Sequence, residues 1–291
     1  MNLKLSDIPI IGMGPGSQPD EEDGSALDYM AMPQAMSFFQ PMSLPEQEDL
    51  QAYPQVLSLL AQLQDLLAEQ AQYPEQAYEL SLAQVSAAEK RLLAQILSEG
   101  EVSILFNTAD GGHQEIQETS LPGVWWHRSL DANQQPQAEK LEISDFPRFI
   151  RQATFAQAQP TLVLPAKDSD SLPEGLVNAP WLLAELQEQQ QNNYQGHVIN
   201  LTLLPLNDAD LQFLATELGT GKTAILSRGY GNCRITATAI ANIWWVQYYN
   251  STDTLILNTL EVVEVPLVAC ASSEDLADSA LRLQEIREAL A

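Results

Sequence analysis

The chain has 291 residues, a length that suits about two domains of ~150 residues, and its 39 acidic and 13 basic side chains give a formal net charge of −26 at pH 7. Phosphate backbones and anionic membrane surfaces repel such a charge, so we expect neither nucleic-acid binding nor membrane insertion. The sequence has no apolar run of ~18 residues and no basic region followed by an apolar one at its start, so we expect a cytoplasmic protein.

Residues 1–48 differ in composition from the rest of the chain. Glycine, proline and an acidic cluster follow a short apolar start, and Met and Phe side chains then occur among prolines. Because the periodicity is too weak for an independent core, we predict an extended or disordered acidic, Met-rich arm. Methionine adapts to irregular apolar surfaces, so docking on a partner and packing on the rest of the chain both stay open.

Residues 49–156 read as a first α+β unit. Apolar residues at helical spacing across residues 56–71 predict an amphipathic helix, and the alternation in the following AYELSL predicts a strand. Ser86, with Glu89 in the capping-box position, predicts the start of a second helix. We expect Gly100 to end that helix before the strand EVSILF.

Residues 157–178 contain several prolines and acids and read as a linker or an elaborated loop. The second unit, residues 179–291, begins like the first. Pro180 stands in the first turn of a predicted helix, and HVINLTLL reads as the matching strand. Asn207 then precedes another helical pattern, which Gly219 ends.

The segment at residues 225–268 is dense in Ile, Val, Thr, Tyr and Trp, and turn residues interrupt it at Gly229, Gly231 and Asn250. It therefore predicts three or four strands of one antiparallel sheet. Ser272 follows and caps a last predicted helix with its apolar residues on one side. We expect this helix to pack on the second unit.

The two units share residues in the same order, including a pair of adjacent tryptophans. Such an ordered recurrence indicates an ancient duplication. The predicted fold class is therefore α+β, with two duplicated helix–antiparallel-sheet domains after an extended N-terminal arm. The matched residues are Leu93 and Leu214, Leu97 and Leu218, Gly100 and Gly221, Ile116 and Ile235, Thr119 and Thr238, Trp125-Trp126 and Trp244-Trp245, Leu141-Glu142 and Leu260-Glu261, and Pro147 and Pro266.

The sequence GTGKT at residues 219–223 resembles the end of a phosphate-binding loop. Such a loop needs a glycine where this chain has Thr216, and it needs a strand before the loop and a helix after it. Here the predicted helix comes first and a strand follows. We therefore interpret the motif as a helix C-cap and expect no bound nucleotide and no other cofactor.

The cysteines and histidines do not form a metal-binding pattern. Two cysteines give no disulfide framework, and three scattered histidines add no metal-ligand spacing, so we expect no metal site. These residues are Cys233, Cys270, His113, His127 and His197.

The sharpest local signal is the turn at residues 227–234. Its glycines permit tight or positive-φ backbone, and the equivalent turn of the first unit, FNTADGGHQ, has none of its arginine, tyrosine or cysteine side chains. We therefore predict a partner-binding surface on this turn. In a plainer interpretation the glycines only close a hairpin and the arginines only pair with carboxylates. The predicted partner-binding residues are Arg228, Gly229, Tyr230, Gly231, Asn232, Cys233 and Arg234, together with Trp244 and Trp245.

Three further features admit more than one interpretation. Adjacent tryptophans point to opposite faces of a strand, so one of each pair should lie in the core and the other can be exposed as an anchor for a partner. The neighbouring arginines would favour the thiolate of Cys233, which makes it a candidate nucleophile. Glu142 and Glu261 could each pair with Arg234 or cap the next turn, and we identify no catalytic residue.

The segments SRGYGNCRITAT, NIWWVQYYNS, LILNTLEVVEVPLVACA and EDLADSALRLQEI closely resemble the HupH/HyaF family of nickel-iron hydrogenase expression and maturation proteins. IGMGPGSQP near the N-terminus and IQETSLPGVWW in the first unit also resemble that family, so the resemblance covers nearly the whole chain. It implies a non-catalytic accessory chaperone, made in the cytoplasm, that binds a hydrogenase subunit precursor and works with other maturation proteins. The family is linked to the iron-sulfur small subunit or to protection of assembly from oxygen.

Two alternative hypotheses stay open from the sequence. One is a thiol-dependent enzyme or redox factor built on Cys233. The other is a scaffold that gathers other maturation factors.

Overall fold

The computed structural model describes residues 52–73, 75–164, 172–192, 196–229 and 231–290. The predicted arm at residues 1–48 lies outside these described residues, and so does Tyr230 of the predicted turn. The described chain combines helices with antiparallel strands, which confirms the predicted α+β class. None of the described helices has the length and apolar character needed to cross a bilayer.

The first half of the chain places two helices before a run of four strands. Ser86 caps the second helix as predicted, because its hydroxyl accepts from the N–H of Glu89 while the Glu89 carboxylate accepts from the N–H of Ser86. The elements are α1 (Pro54–Gln72), β1 (Tyr78–Ser81), α2 (Ala87–Leu97), β2 (Glu99–Asn107), β3 (His113–Thr119), β4 (Val124–Leu130), β5 (Pro136–Ile143) and α3 (Arg148–Ala153).

The second half has the same order of helices and strands. Asn207 caps its second helix and Gly219, at φ 60°, ends it, which confirms that GTGKT follows a helix C-terminus. The elements are α4 (Ala179–Gln191), β6 (His197–Asn200), a 3₁₀ turn (Leu201–Leu203), α5 (Asp208–Leu218), β7 (Thr223–Ser227), β8 (Asn232–Ala237), β9 (Ile243–Tyr249), β10 (Leu255–Val262), a second 3₁₀ turn (Leu267–Ala269) and α6 (Ser273–Leu290).

Two local predictions are wrong. Gly100 does not end α2, because Ser98 is the C-cap and Gly100 lies inside β2, where an added Cβ would overlap the backbone oxygen of Thr119. The glycine is thus required by close strand packing rather than by the helix end. The predicted strand HVINLTLL stops at Asn200, whose side chain accepts from the N–H of Thr202 and turns the chain into a 3₁₀ turn.

The ten strands of the described chain form one antiparallel sheet. Their order is β1-β5-β4-β3-β2-β7-β8-β9-β10-β6, so each half places its strands in the same order outward from the junction of β2 with β7. Ile104 pairs with Ile225 at this junction. The two halves therefore share one continuous sheet.

Helices cover the outer parts of one face of the sheet, which we call the helical face. In the first half, α1, α2 and α6 bury Trp126 and Leu141. In the second half, α4 and α5 bury Ile243 and Leu260. The apolar stripe of each helix is thus buried against the strands farthest from the junction.

The opposite face, which we call the crossover face, is covered at its centre by the segments that leave β5 and β10. Trp125 and Trp244 are fully buried there beside Ile104 and Ile225. The covering residues include Phe146, Ile150, Val265 and Ala269.

Each crossover segment ends on the other half of the molecule. After α3, the backbone N–H of Gln159 donates to Ala239 at 2.9 Å and its oxygen accepts from Ala241 at 2.9 Å. Leu162 then enters the core of the second half. The segment predicted as a linker or elaborated loop is thus packed where the structure describes it.

In return, α6 crosses to the first half. Leu276 and Leu283 are buried beside α1 and α2, and Ser279 Oγ donates to the backbone oxygen of Pro122 at 2.9 Å. The prediction that the last helix packs on the second unit is therefore wrong. An apolar stripe shows that a helix packs on something, but it does not show on which half. Here the segment before α6 is held against the first half, because the N–H of Ala271 donates to the backbone oxygen of Asp145 at 2.9 Å.

Candidate partner-binding site

The predicted binding turn connects β7 to β8 at the end of the sheet where β2 begins. Arg228 and Gly229 are exposed, and the N–H of Arg228 donates to the backbone oxygen of Glu101 at 3.0 Å. A Cβ on Gly229 would overlap the Glu101 carboxylate. Gly231 has φ 119°, and its Cβ would lie 2.6 Å from the backbone oxygen of Tyr249. Backbone packing and a positive φ therefore require glycine at Gly231, in agreement with the plainer interpretation, whereas at Gly229 the Glu101 side chain can move aside.

Two polar side chains of the turn make intramolecular contacts. Asn232 Nδ2 donates to Asp253 Oδ1 at 3.0 Å. The half-buried guanidinium of Arg234 lies 4.5 Å from the centre of the Tyr249 ring, a cation–π contact on the helical face. Asn232 and Arg234 therefore stabilise the sheet end, and Arg228 is the exposed cation of the turn.

Acidic residues at the start of β2 surround the exposed arginine. Burial raises the pKa of Glu99, and the positive charge of Arg228 opposes that rise. An approaching anionic group would meet Arg228 beside Glu99 and Glu101. The turn can therefore donate charge-assisted hydrogen bonds to a carboxylate or carbonyl, but this local acidity selects against a highly charged anion.

The equivalent turn of the first half has the same backbone contact and the opposite charge. The N–H of Asn107 donates to the backbone oxygen of Lys222 at 2.9 Å, as Arg228 does to Glu101. Asp110 stands on this turn, and hydrogen bonds from the Thr108 hydroxyl and the Gly112 N–H lower its pKa. The two turns thus share a frame and differ in the chemistry that they expose.

The tryptophan pairs do not all expose one member. Trp244 is fully buried and its Nε1 donates to the backbone oxygen of Glu264 at 3.2 Å, so it is not available to a partner. Trp245 is half-buried on the helical face and donates to Asn258 Oδ1 at 2.6 Å. Trp125 and Trp126 are both buried, because α6 helps to cover the second of them. Trp245 is therefore the tryptophan of the predicted site that a partner can reach.

Cys233 lies on the crossover face, within the central core cluster, and only 4% of it is exposed. Burial raises its pKa to about 12, and a hydrogen bond with Tyr248 opposes only part of that rise. Cys270, the other free cysteine, is half-buried, and burial raises its pKa to about 12 as well. Neither environment favours the thiolate that a nucleophilic cysteine needs.

A buried polar network in the first half was not predicted. Glu142 is fully buried, its Oε2 lies 3.1 Å from His127 Nε2 and 3.7 Å from Lys140 Nζ, and its Oε1 accepts from the N–H of Arg148 at 2.6 Å. Burial alone would raise the pKa of Glu142, but these contacts outweigh burial and lower it. The carboxylate caps the start of α3, which is one of the two roles that the sequence allowed.

Glu261 occupies the matching position of the second half in different surroundings. It is half-buried, and Thr259 Oγ1 donates to its Oε1 at 3.2 Å. Burial raises its pKa, which that hydrogen bond only partly opposes. Arg234 lies on the other face of the sheet, so neither glutamate pairs with it. Within the described ranges, no three His, Cys, Asp or Glu side chains are grouped as a metal site.

Comparison with known proteins agrees with the resemblance in the sequence. The family model described as "HupH hydrogenase expression protein, C-terminal conserved region" matches residues 54–160 and again residues 176–290. The hydrogenase expression/formation protein HupQ of Azotobacter chroococcum is 45% identical, with 96% of this chain and 96% of HupQ covered. The hydrogenase-1 operon protein HyaF of Escherichia coli is 33% identical, with 96% of this chain and 95% of HyaF covered.

A solved structure of the hydrogenase expression protein HupH from Thiobacillus denitrificans is 28% identical, covers 37% of this chain and 92% of its own, and superimposes with a TM-score of 0.35. The identities over nearly the full length and the two matches of one family model lead to the same assignment: the chain belongs to the HupH/HyaF family of hydrogenase expression proteins.

Proposed function

We propose that this chain is an accessory protein of hydrogenase formation, which holds a hydrogenase subunit precursor during assembly. Relatives of similar length are named as hydrogenase expression or formation proteins, which supports the pathway. The non-catalytic chaperone role, the precursor as bound partner and the cytoplasm as site of action are parts of this proposal. The iron-sulfur small subunit is the first candidate for that partner.

The contact with the partner begins at the turn between β7 and β8. The observation that carries this assignment is the exposed Arg228 on a turn whose backbone is fixed to Glu101, where the first half presents an acid instead. Because the backbone of Arg228 is already held by Glu101, placing its side chain on a partner costs less conformational entropy. Arg234 and Trp245 extend the contact surface along the helical face of β8 and β9.

Co-purification tests this assignment. The tagged chain is co-expressed with the large or the small hydrogenase subunit precursor, and the amount of precursor recovered is measured. We expect Arg228→Ala to lower recovery about tenfold, because a charge-assisted hydrogen bond contributes roughly 1.5–3 kcal/mol. Arg228→Glu should abolish recovery.

The matched control is Arg91→Ala, which removes an exposed arginine from α2 and should leave recovery unchanged. Undiminished recovery with Arg228→Ala, at an unchanged melting temperature, would remove the turn from the proposal. Recovery of other maturation proteins without either subunit would instead identify a scaffold, the alternative that the sequence left open.

We infer that the two halves descend from one duplicated unit, with residues 49–156 and 179–291 as the copies and residues 157–178 between them. The same element order, the same strand order and the two matches of one family model support this inference. An experimental structure in which strands β2–β5 do not superimpose on β7–β10 would overturn it.

A further inference from the structure

Among the residues that the structure describes, the glutamate shared by the two halves has ion-pair neighbours in the first half and none in the second. Around Glu142, the same face of the sheet carries His127 and Lys140, which are paired across β4 and β5. Lys140 Nζ also lies 2.5 Å from Glu79 Oε1, on the edge strand β1. The first half therefore neutralises its carboxylate with its own side chains.

The second half replaces each of these neighbours with an uncharged side chain. Val246 stands where His127 would be, and Thr259, its partner across β9 and β10, stands in place of Lys140. Val198 pairs with Glu261 as Glu79 pairs with Glu142. Among the described residues, no Lys, Arg or His lies within ion-pair distance of the Glu261 carboxylate.

This part of the crossover face is open to a visiting side chain. β6 is the edge strand of the sheet, and Val198 on it is 51% exposed. Glu261 pairs with Val198, Tyr248 pairs with Leu257 further along the same face, and Glu261, Tyr248 and Leu257 are all half-buried. Burial raises the pKa of Tyr248, and so do the charges of the nearby Cys233 and Glu261, so the phenol is neutral and lies on the same face as an uncompensated carboxylate.

We propose that the crossover face of β6, β9 and β10, around Val198, Tyr248, Leu257 and Glu261, binds a lysine or arginine side chain of a partner protein, presented between apolar residues. The partner's cation takes the place that Lys140 fills beside Glu142. The Tyr248 ring offers a cation–π contact, and Val198 and Leu257 accept the apolar neighbours.

Two properties of the chain favour a basic partner over other occupants. The formal net charge of −26 accelerates the approach of a cationic segment. A single carboxylate with one hydroxyl neighbour is too few oxygen ligands for a metal ion. The surface lies on the face opposite Arg234, so this proposal stands whether or not the β7–β8 turn binds a hydrogenase precursor.

The test uses the full chain and a defined probe. The probe is the peptide Ac-Ser-Leu-Lys-Leu-Ser-NH2, and its control carries norleucine in place of lysine. Titration into the isotope-labelled protein is followed by the amide chemical shifts of β9 and β10. We expect saturable shifts at Tyr248 and around Glu261 with the lysine peptide, and about tenfold weaker binding of the norleucine peptide.

Two variants of the protein complete the test. Glu261→Gln removes the negative charge and should lower the affinity for the lysine peptide about tenfold. Thr259→Lys places a cation of the protein itself beside Glu261 and should lower that affinity by a similar factor. Glu79→Gln changes the matching edge of the first half and should have no effect. Melting curves confirm that each variant is folded.

Equal binding of the two peptides, or unchanged binding by Glu261→Gln, would overturn the proposal. The chain's own Lys4 is flanked by leucines, so Lys4→Ala is also titrated. Unchanged affinity of this variant supports an external partner. Tighter binding would show that Lys4 occupies the surface and would overturn the assignment to a partner protein.

Discussion

The two halves of the molecule place the same glutamate in different electrostatic surroundings. Both place a glutamate at the same strand position on the crossover face, yet the pKa of Glu142 is lowered and that of Glu261 is raised. The first half places His127 and Lys140 beside its carboxylate, while in the second half no cation of the described residues lies within ion-pair distance of Glu261. The first half thus pairs the shared glutamate with its own side chains, whereas the second half leaves Glu261 half-buried beside a single hydroxyl donor.

The comparison is tested most strongly by removing each glutamate in turn. Glu142→Ala should lower the free energy of unfolding by about 4 kcal/mol, because it removes one partner of a buried pair and the cap of α3. Glu261→Ala should change it by less than ~1 kcal/mol. Urea unfolding at pH 7 measures both values, and equal losses would show that the two positions are equivalent.

The same pair predicts opposite responses to pH. The pKa of Glu142 is lowered by folding, so the stability it contributes is present above the ordinary pKa of 4.5 and is lost as pH falls through the folded value. The pKa of Glu261 is raised, so its contribution is present below 4.5 and is lost as pH rises through the folded value. The difference in unfolding free energy between Glu142→Ala and Glu261→Ala should therefore become smaller as pH falls.

A second change tests whether the halves depend on each other. Leu283 of α6 is fully buried in the core of the first half, so Leu283→Ala should cost about 3 kcal/mol. Amide exchange should then accelerate in α1 and α2 more than in α4 and α5. Leu281→Ala, at a residue of α6 that is 61% exposed, is the matched control and should have little effect. Faster exchange confined to the second half would contradict the crossover of α6.

The smallest expected effect concerns a carboxyl that the second half lacks. Burial raises the pKa of Glu118 to about 7, with hydrogen bonds from the N–H groups of Gly123 and Val102 opposing the rise and the charges of Glu101 and Asp275 adding to it. Its contribution to stability is present below pH 4.5 and is lost as pH rises through about 7.

Glu118→Gln should therefore stabilise the protein by ~1–3 kcal/mol at pH 8 and change it little at pH 4.5. The amide oxygen of glutamine can still accept from Gly123, so the hydrogen bond is kept. Urea unfolding at the two pH values measures the effect. The same gain at both would show that packing, and not ionisation, explains it.

The sequence predicted what depends on neighbouring residues. The caps at Ser86 and Asn207 and the strands after Gly219 follow local rules of hydrogen bonding and side-chain alternation, and the structure confirms them. The resemblance to the HupH/HyaF family was also visible in long motifs, because such motifs preserve the order of many side chains at once.

The sequence could not predict contacts that depend on how distant segments meet. The place of α6 needed the crossover through Ala271, and the stacking of Arg234 on Tyr249 needed the register of β8 with β9. The pair of His127 with Glu142 could have been found by assuming a tight hairpin at residues 131–135. That assumption brings the two residues to the same face of neighbouring strands.

The reciprocal exchange of end segments has a consequence for biosynthesis. The first half is translated before the second, yet its core is closed by α6, which follows every other described element along the chain. The part of the apolar surface of α1 and α2 that α6 covers therefore stays exposed while the ribosome completes the remaining strands. The first half can therefore complete its core only after α6 has been translated. A chain halted before α6 would expose apolar surface of the kind that chaperones and proteases recognise.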